Sequence, residues 1–323
     1  MGRRHRDALF PPEGWRRLTS YVDIDPDHVA EDLAQEPSLA EVELLITSWG
    51  CPVLDEEVLA RAPALKAVVH AAGSVKHHVT RACWDRGLAV SSAAAANAVP
   101  VAEYTVAAIL FANKRVLDIG ALYRERRTPL DWSRRFPGFG NYRRTVGVVG
   151  ASLVGRKVLE LLRPHDLDLL LADPHVDAEQ AAALGARHVE LDELVAASDV
   201  VSLHAPALAE TRHLMDARRL SLLRDGATLV NTARGSLVAT EALTAEAVSG
   251  RIHAVIDVTE PEVLPPASPL YSLPNVLLTP HIAGSLGGEL RRITESALDE
   301  VERYCSGQPF RYAVHHAALA TSA

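Results

Sequence analysis

Cysteine is scarce: Cys51, Cys83 and Cys305 are widely spaced and form no C-x-x-C pair. An odd, scattered set builds no disulfide framework and fits a reducing, cytoplasmic setting. Positive charge is also in short supply. With 33 Lys and Arg against 41 Asp and Glu, the formal net charge is -8, which argues against nucleic acid or an anionic membrane as a main partner. Long hydrophobic runs are missing too. The richest, Ala93 to Ala112, is interrupted by Asn97, Pro100 and Glu103, so no membrane span is expected. The opening "MGRRHRDALFPPEG" is basic but lacks the apolar segment of a secretory signal. Repeats and low-complexity tracts are likewise absent.

What remains is an ordinary globular composition, 48% apolar and 23% charged. A chain of 323 residues exceeds what one hydrophobic core usually holds, so two domains are expected. From about residue 145, short apolar runs alternate with helical patterns. The runs are Val146–Val149, Leu169–Ala172, Val200–His204, Thr228–Asn231, Ala254–Asp257 and Val276–Thr279, each suited to a strand buried on both faces. Helices are expected over Val154–Leu162, Leu191–Ala197, Asp216–Leu223 and Thr240–Ser249. This pattern predicts an α/β fold with a doubly wound parallel sheet. A smaller α/β pattern precedes it, with strands in "ELLITSW", "LKAVVHAAG" and "GLAVSSA" and a helix in "LDEEVLARA". Such a domain usually opens on an apolar strand, and "GRRHRDALF" makes a poor one, either truncated or degenerate. Helices over 98–118, with Pro100 near the start, and over 288–305 would carry the chain between domains twice.

Residues 145–162, "TVGVVGASLVGRKVLELL", pose the nucleotide question. A dinucleotide turn wants G-x-G-x-x-G, and here the middle glycine is Ser152. The context still fits. Gly150 follows a predicted strand, Gly155 opens a helix, and Asp173 ends the next strand 18 residues after Gly155, close to the offset of a ribose-binding acid. Gly150 permits the tight turn, Gly155 permits close packing, and the amides of Leu153 and Val154 face a pyrophosphate. Ser152 adds a Cβ where backbone approaches phosphate, so weaker binding is expected, with the hydroxyl able to donate to a phosphate oxygen. Asp173, with no arginine in "ADPHV", favours NAD over NADP.

Three further strand ends carry polar groups: Arg234 in "LVNTARGSLV", Asp257, Glu260 and Glu262 in "VIDVTEPEVLPP", and His281 in "NVLLTPHIAG". In a parallel sheet all three emerge at the ligand-binding edge. Together they suit reduction of a 2-keto acid. The arginine grips the carboxylate, the histidine delivers a proton, and an acidic partner keeps that histidine charged near neutrality.

With "NAVPVAEYTVAAIL" and "VSLHAPALAETRHL" added, the chain from about Leu65 to Val314 resembles the D-isomer-specific 2-hydroxyacid dehydrogenases. The resemblance implies two Rossmann-like domains: a nucleotide domain over 98–283, inserted in a smaller, discontinuous flavodoxin-like substrate domain of 1–97 plus 284–323. It implies Arg234 as the substrate-binding arginine, His281 as acid/base, and Glu262, 19 positions before His281, as the acidic partner, with Glu260 as the fallback. Asp257 would orient the nicotinamide carboxamide, Pro206, Thr211 and Thr232 would contact the cofactor, and Asn97 would face the substrate. NAD is the implied cofactor, a 2-keto or D-2-hydroxy acid the substrate, and a homodimer joined through the nucleotide domains the assembly. The run "YRERRTPLDWSRRFPGFGNYRR", with seven arginines, would lie near that dimer contact.

The chain departs from the family pattern in places. The substrate loop is "HAAGSVKHHV", where amides around Gly73 and Ser74 can hold a carboxylate but Lys76, His77 and His78 replace the usual Asp-Asn-Ile. Tyr104 stands where histidine is frequent. The pairs His77–His78 and His315–His316 lack the partners of a metal site, and none is expected. Trp49 suits core packing and the substrate cleft equally. Two rivals remain: an NAD(H)-sensing corepressor without turnover, and a formate dehydrogenase, against which Glu262 counts because those relatives carry glutamine there.

Overall fold

Short apolar runs pair into two parallel sheets. The computed structural model describes residues 2–320. The chain divides into two units, one made of the segments up to Ala98 and from Ser285, the other running from Val99 to Gly284.

The smaller unit holds three parallel strands in sequence order, β1 (Leu44–Thr47), β2 (Ala67–His70) and β3 (Ala89–Ser92). All four residues of β2 are buried, as a central strand covered on both faces requires. The helix Leu290–Cys305 packs Ile293, Ala297, Leu298 and Val301 into the same core as Leu9, Phe10 and Val69. The opening segment is no strand: Arg3–Leu9 is a helix. A central strand would bury its polar residues, whereas a helix buries Leu9 and Phe10 and leaves Asp7 in solvent.

The larger unit holds seven strands: β4 (Arg144–Val149), β5 (Leu167–Ala172), β6 (Arg187–His188), β7 (Val200–Leu203), β8 (Thr228–Asn231), β9 (His253–Ile256) and β10 (Val276–Leu278). Their order is β10-β9-β8-β7-β4-β5-β6, all parallel. The chain builds outward from β4 to β6, then returns to the other side of β4 with β7. That reversal opens a crevice at the carboxyl ends of β4 and β7, the usual ligand position in such sheets. The sequence pattern predicted six strands. The seventh, β6, is a two-residue edge strand with polar side chains, which carries no apolar signal.

The expected helix over 98–118 is displaced. It spans Ala94–Asn113, with Pro100 inside it, and a second helix follows over Val116–Arg126. The break is local: Arg115 adopts the left-handed conformation, and the Asn113 carbonyl accepts the Gly140 amide rather than a helical partner. The first helix is long and apolar enough to cross a membrane by composition. One face of it packs into the core, with Ile109 fully buried and the Thr105 hydroxyl 2.8 Å from that of Thr232.

Candidate active site

Gly150, immediately after β4, has φ +97, and a Cβ there would stand 2.7 Å from the Ala205 amide nitrogen. A Cβ on Gly155 would collide with the Gly150 carbonyl. Both glycines are therefore demanded by the chain's own turn. Ser152 plays a part that the sequence pattern did not reveal. It is the N-cap of the helix Leu153–Leu162, its hydroxyl accepting from the Gly155 amide at 3.3 Å. The amides of Leu153 and Val154, as the first two of that helix, have no intrahelical acceptor. Arg156 braces the turn by donating to the Ala151 carbonyl at 2.8 Å. Asp173 lies just past β5. Its carboxylate accepts from the Ala151 amide at 2.6 Å and the His175 amide at 2.8 Å, one bond to each oxygen, which leaves each a further lone pair for a ribose hydroxyl. The residues present fit a dinucleotide.

The same edge continues across the sheet. After β7, the Thr211 hydroxyl donates to the Pro206 carbonyl at 2.6 Å and accepts from Leu208 at 2.8 Å, closing that loop on itself. After β8, Thr232 is held by Thr105, and Asn231 ties down the backbone of Ala233 and Arg234. Burial pushes the Arg234 guanidinium below its ordinary value, and the charge of Glu262 opposes that shift; a guanidinium stays charged regardless. Gly235 matters here: a Cβ would run into the carbonyl of Thr259. The arginine turn therefore packs directly against the segment after β9.

That segment carries the acids. Asp257 is buried, and its carboxylate accepts from the Thr279 hydroxyl at 2.6 Å and from the amides of Ile282 and Ala283 at 2.8 and 2.9 Å. The Tyr104 hydroxyl donates to Thr279 at 2.9 Å, which extends the network to the helix Ala94–Asn113. Asp257 thus anchors the loop that follows β10. His281 sits on that loop in the left-handed conformation, φ +56, with its amide on the Asp257 carbonyl at 2.8 Å. Its Nδ1 lies 2.7 Å from Glu262 Oε1. Glu260 turns elsewhere: Arg212 holds it at 2.8 Å and keeps its carboxyl below the usual range.

In the smaller unit, Asn97 Nδ2 is 3.6 Å from where a Gly73 Cβ would stand, and Asn97 Oδ1 accepts from the Ser285 amide at 3.0 Å. The Ser74 hydroxyl accepts from the Lys76 amide at 3.4 Å. His77 and His78 do not act as a pair. His78 is buried, its ring 4.3 Å from that of His70, and both reach the Thr47 hydroxyl. Trp49 lies at the edge of this unit, its ring 5.7 Å from that of His5.

Arg156, Thr240, Thr259 and Thr279 were not singled out by the sequence. A hydroxyl or guanidinium that reaches backbone or a carboxylate across a turn leaves no spacing signal.

The strand order, the capped turn at its reversal and the acid beyond β5 define a dinucleotide-binding protein of Rossmann type. The chain belongs to the D-isomer specific 2-hydroxyacid dehydrogenase family, whose NAD binding domain matches residues 106–283. It is 31% identical to the D-3-phosphoglycerate dehydrogenase of Archaeoglobus fulgidus over 81% of this chain and 49% of the relative. It is 34% identical to the glyoxylate reductase of Thermofilum pendens over 76% of this chain and 73% of the relative. The structure of D-lactate dehydrogenase from Aquifex aeolicus, complexed with NAD and lactic acid, superposes with a TM-score of 0.71 at 27% identity, covering 92% of each chain. The chain spans about half the length of the phosphoglycerate dehydrogenases it matches.

Proposed function

We infer that the protein is an NAD-dependent oxidoreductase interconverting a 2-keto acid and its D-2-hydroxy acid in the cytoplasm. The observation that carries this reading is His281 Nδ1 held 2.7 Å from Glu262 Oε1, on strand ends next to Arg234. Arg234 binds the substrate carboxylate through its planar fork. In the smaller unit, amides near Gly73 and Ser74, with Asn97, are the substrate-binding candidates that the family resemblance implies. Glu262 keeps a proton on Nδ1, so Nε2 is the nitrogen that gives a proton to the keto oxygen in reduction and takes it back in oxidation. NAD(H), when bound, supplies or accepts the hydride at the second carbon. The Gly150–Gly155 turn and the helix start after Ser152 hold its phosphates, and Asp173 holds the ribose. Pro206, Thr211, Thr232 and Asp257 frame the nicotinamide side of the crevice.

The assembly is a homodimer joined through the larger units. The helix Val116–Arg126 has no buried residue despite Val116, Leu117 and Tyr123, and the neighbouring Phe111 is 54% exposed. A second copy would cover them.

A fluorescence titration with NADH and NADPH, followed by an absorbance screen of 2-keto acids, tests the function. Saturable binding that favours NADH, with turnover of at least one acid, supports it. Binding without turnover across the screen overturns the enzyme and leaves the corepressor-type sensor.

A further inference from the structure

The side chains of Glu262 and His281 are 62% and 50% exposed. Ion pairs that open are weak, too weak to hold two mobile side chains in one geometry. What locates the carboxylate is the turn on which Glu262 stands. The Thr259 hydroxyl shares its single proton across that turn between the carbonyls of Pro261 at 2.7 Å and Glu262 at 3.0 Å. The carbonyl of Glu260, next after Thr259, accepts from the Thr240 hydroxyl at 2.9 Å, and its side chain is on Arg212. Gly235 presses on the Thr259 carbonyl from the other side. The remaining charged groups near His281 are engaged: Asp257 by Thr279 and two amides, Glu260 by Arg212 with His213 at 3.8 Å, and Arg234 in the field of Glu262.

We propose that Thr259 is a positioning residue, whose hydroxyl fixes the 259–262 turn so that Glu262 holds the Nδ1 proton of His281. The inference rests on the proposed pairing of Glu262 with His281. Of the groups pinning the turn, Thr259 alone among the described residues bonds the carbonyl of Glu262 itself. A carboxylate at Nδ1 selects the Nδ1–H tautomer of the neutral ring and leaves Nε2 bare. That is the form the ring must reach after giving up its proton. Thr259→Val keeps the branched volume and removes the donor, so the two carbonyls turn to water and the carboxylate loses its fixed origin.

Long-range 1H–15N NMR of the full chain with 15N-histidine, at alkaline pH where the ring is neutral, reads the tautomer directly. His281→Gln identifies the resonance. Wild type and Thr259→Ser are expected to show the Nδ1–H signature; Thr259→Val and Glu262→Ala are expected to lose it. Thr259→Val added to Glu262→Ala should change nothing further. A wild-type signature in Thr259→Val, with Glu262→Ala altered, overturns the role of Thr259 alone. A wild-type signature in Glu262→Ala removes Glu262 as the Nδ1 partner, and the inference falls with it. The spectrum needs no turnover, so failure of the proposed reaction is read separately, in the keto-acid screen.

Discussion

At the scale of single residues, the proposed chemistry concentrates on few atoms. His281→Gln removes the proton donor while leaving the Gly150–Gly155 turn untouched. Turnover should fall by about 10²–10⁴-fold, the usual weight of a general acid, with NADH affinity unchanged. Steady-state kinetics beside a binding titration checks both halves, and unchanged turnover removes His281 from the mechanism. Asp173 has a double duty, because its carboxylate also holds the Ala151 and His175 amides. Asp173→Ala should therefore narrow the preference for NADH over NADPH and also weaken both cofactors by loosening the turn. An unaltered ratio of the two affinities would take Asp173 out of the ribose site.

At the scale of elements, Ser152 shows how a departure from a motif can be compensated. The fingerprint wants glycine there for close approach, and the chain has a helix N-cap instead. Ser152→Ala should cost about 0.5–2 kcal/mol of stability, whereas Ser152→Gly should cost only a few tenths, since glycine is itself an acceptable cap. Chemical denaturation of the three proteins distinguishes them, and equal midpoints would show that the cap contributes nothing. For NADH, Ser152→Gly should bind at least as well as wild type, and clearly weaker binding would mean that the hydroxyl touches the cofactor. The 259–262 turn is the second such element. Its residues were visible as acids, but its anchoring joins the turn's own Thr259 to Gly235 and Thr240, which come from an earlier part of the chain.

At the scale of the whole molecule, acid should be the weak side. Burial pushes His70 to about 3, with repulsion from His78 adding, and pushes His78 to about 4 and His204 to about 3. In the unfolded chain each would titrate near ~6.5. Above that value neither state holds a proton at these positions. Below it the unfolded chain binds more protons, so stability falls as pH drops from ~6.5 towards the folded values, by up to ~1.4 kcal/mol per pH unit for each histidine. Melting temperatures between pH ~7 and ~4.5 should decline less steeply in His78→Gln than in wild type; parallel curves would contradict the assignment. For the assembly, sedimentation equilibrium should give a dimer for wild type and a monomer for Leu117→Glu combined with Tyr123→Glu. A monomeric wild type would leave the helix Val116–Arg126 without its proposed cover.

The sequence by itself determined the class of fold. Apolar runs of strand length alternating with helical faces leave a parallel sheet as the way to bury both, and β4, β5 and β7 to β10 each overlap one of the runs so read. It also marked the strand ends where polar residues gather, since a polar residue beside a buried strand is visible in one dimension. Tertiary structure decided the rest. The family spacing pointed to Glu262 over Glu260, but what orients the two carboxylates, Glu262 to His281 and Glu260 to Arg212, is the 259–262 turn. The helix at Arg3–Leu9, the shift of the next long helix to Ala94, the edge strand β6 and the cap at Ser152 share that origin. Each is settled by which backbone groups find partners when distant segments pack, and that competition is not written in local pattern.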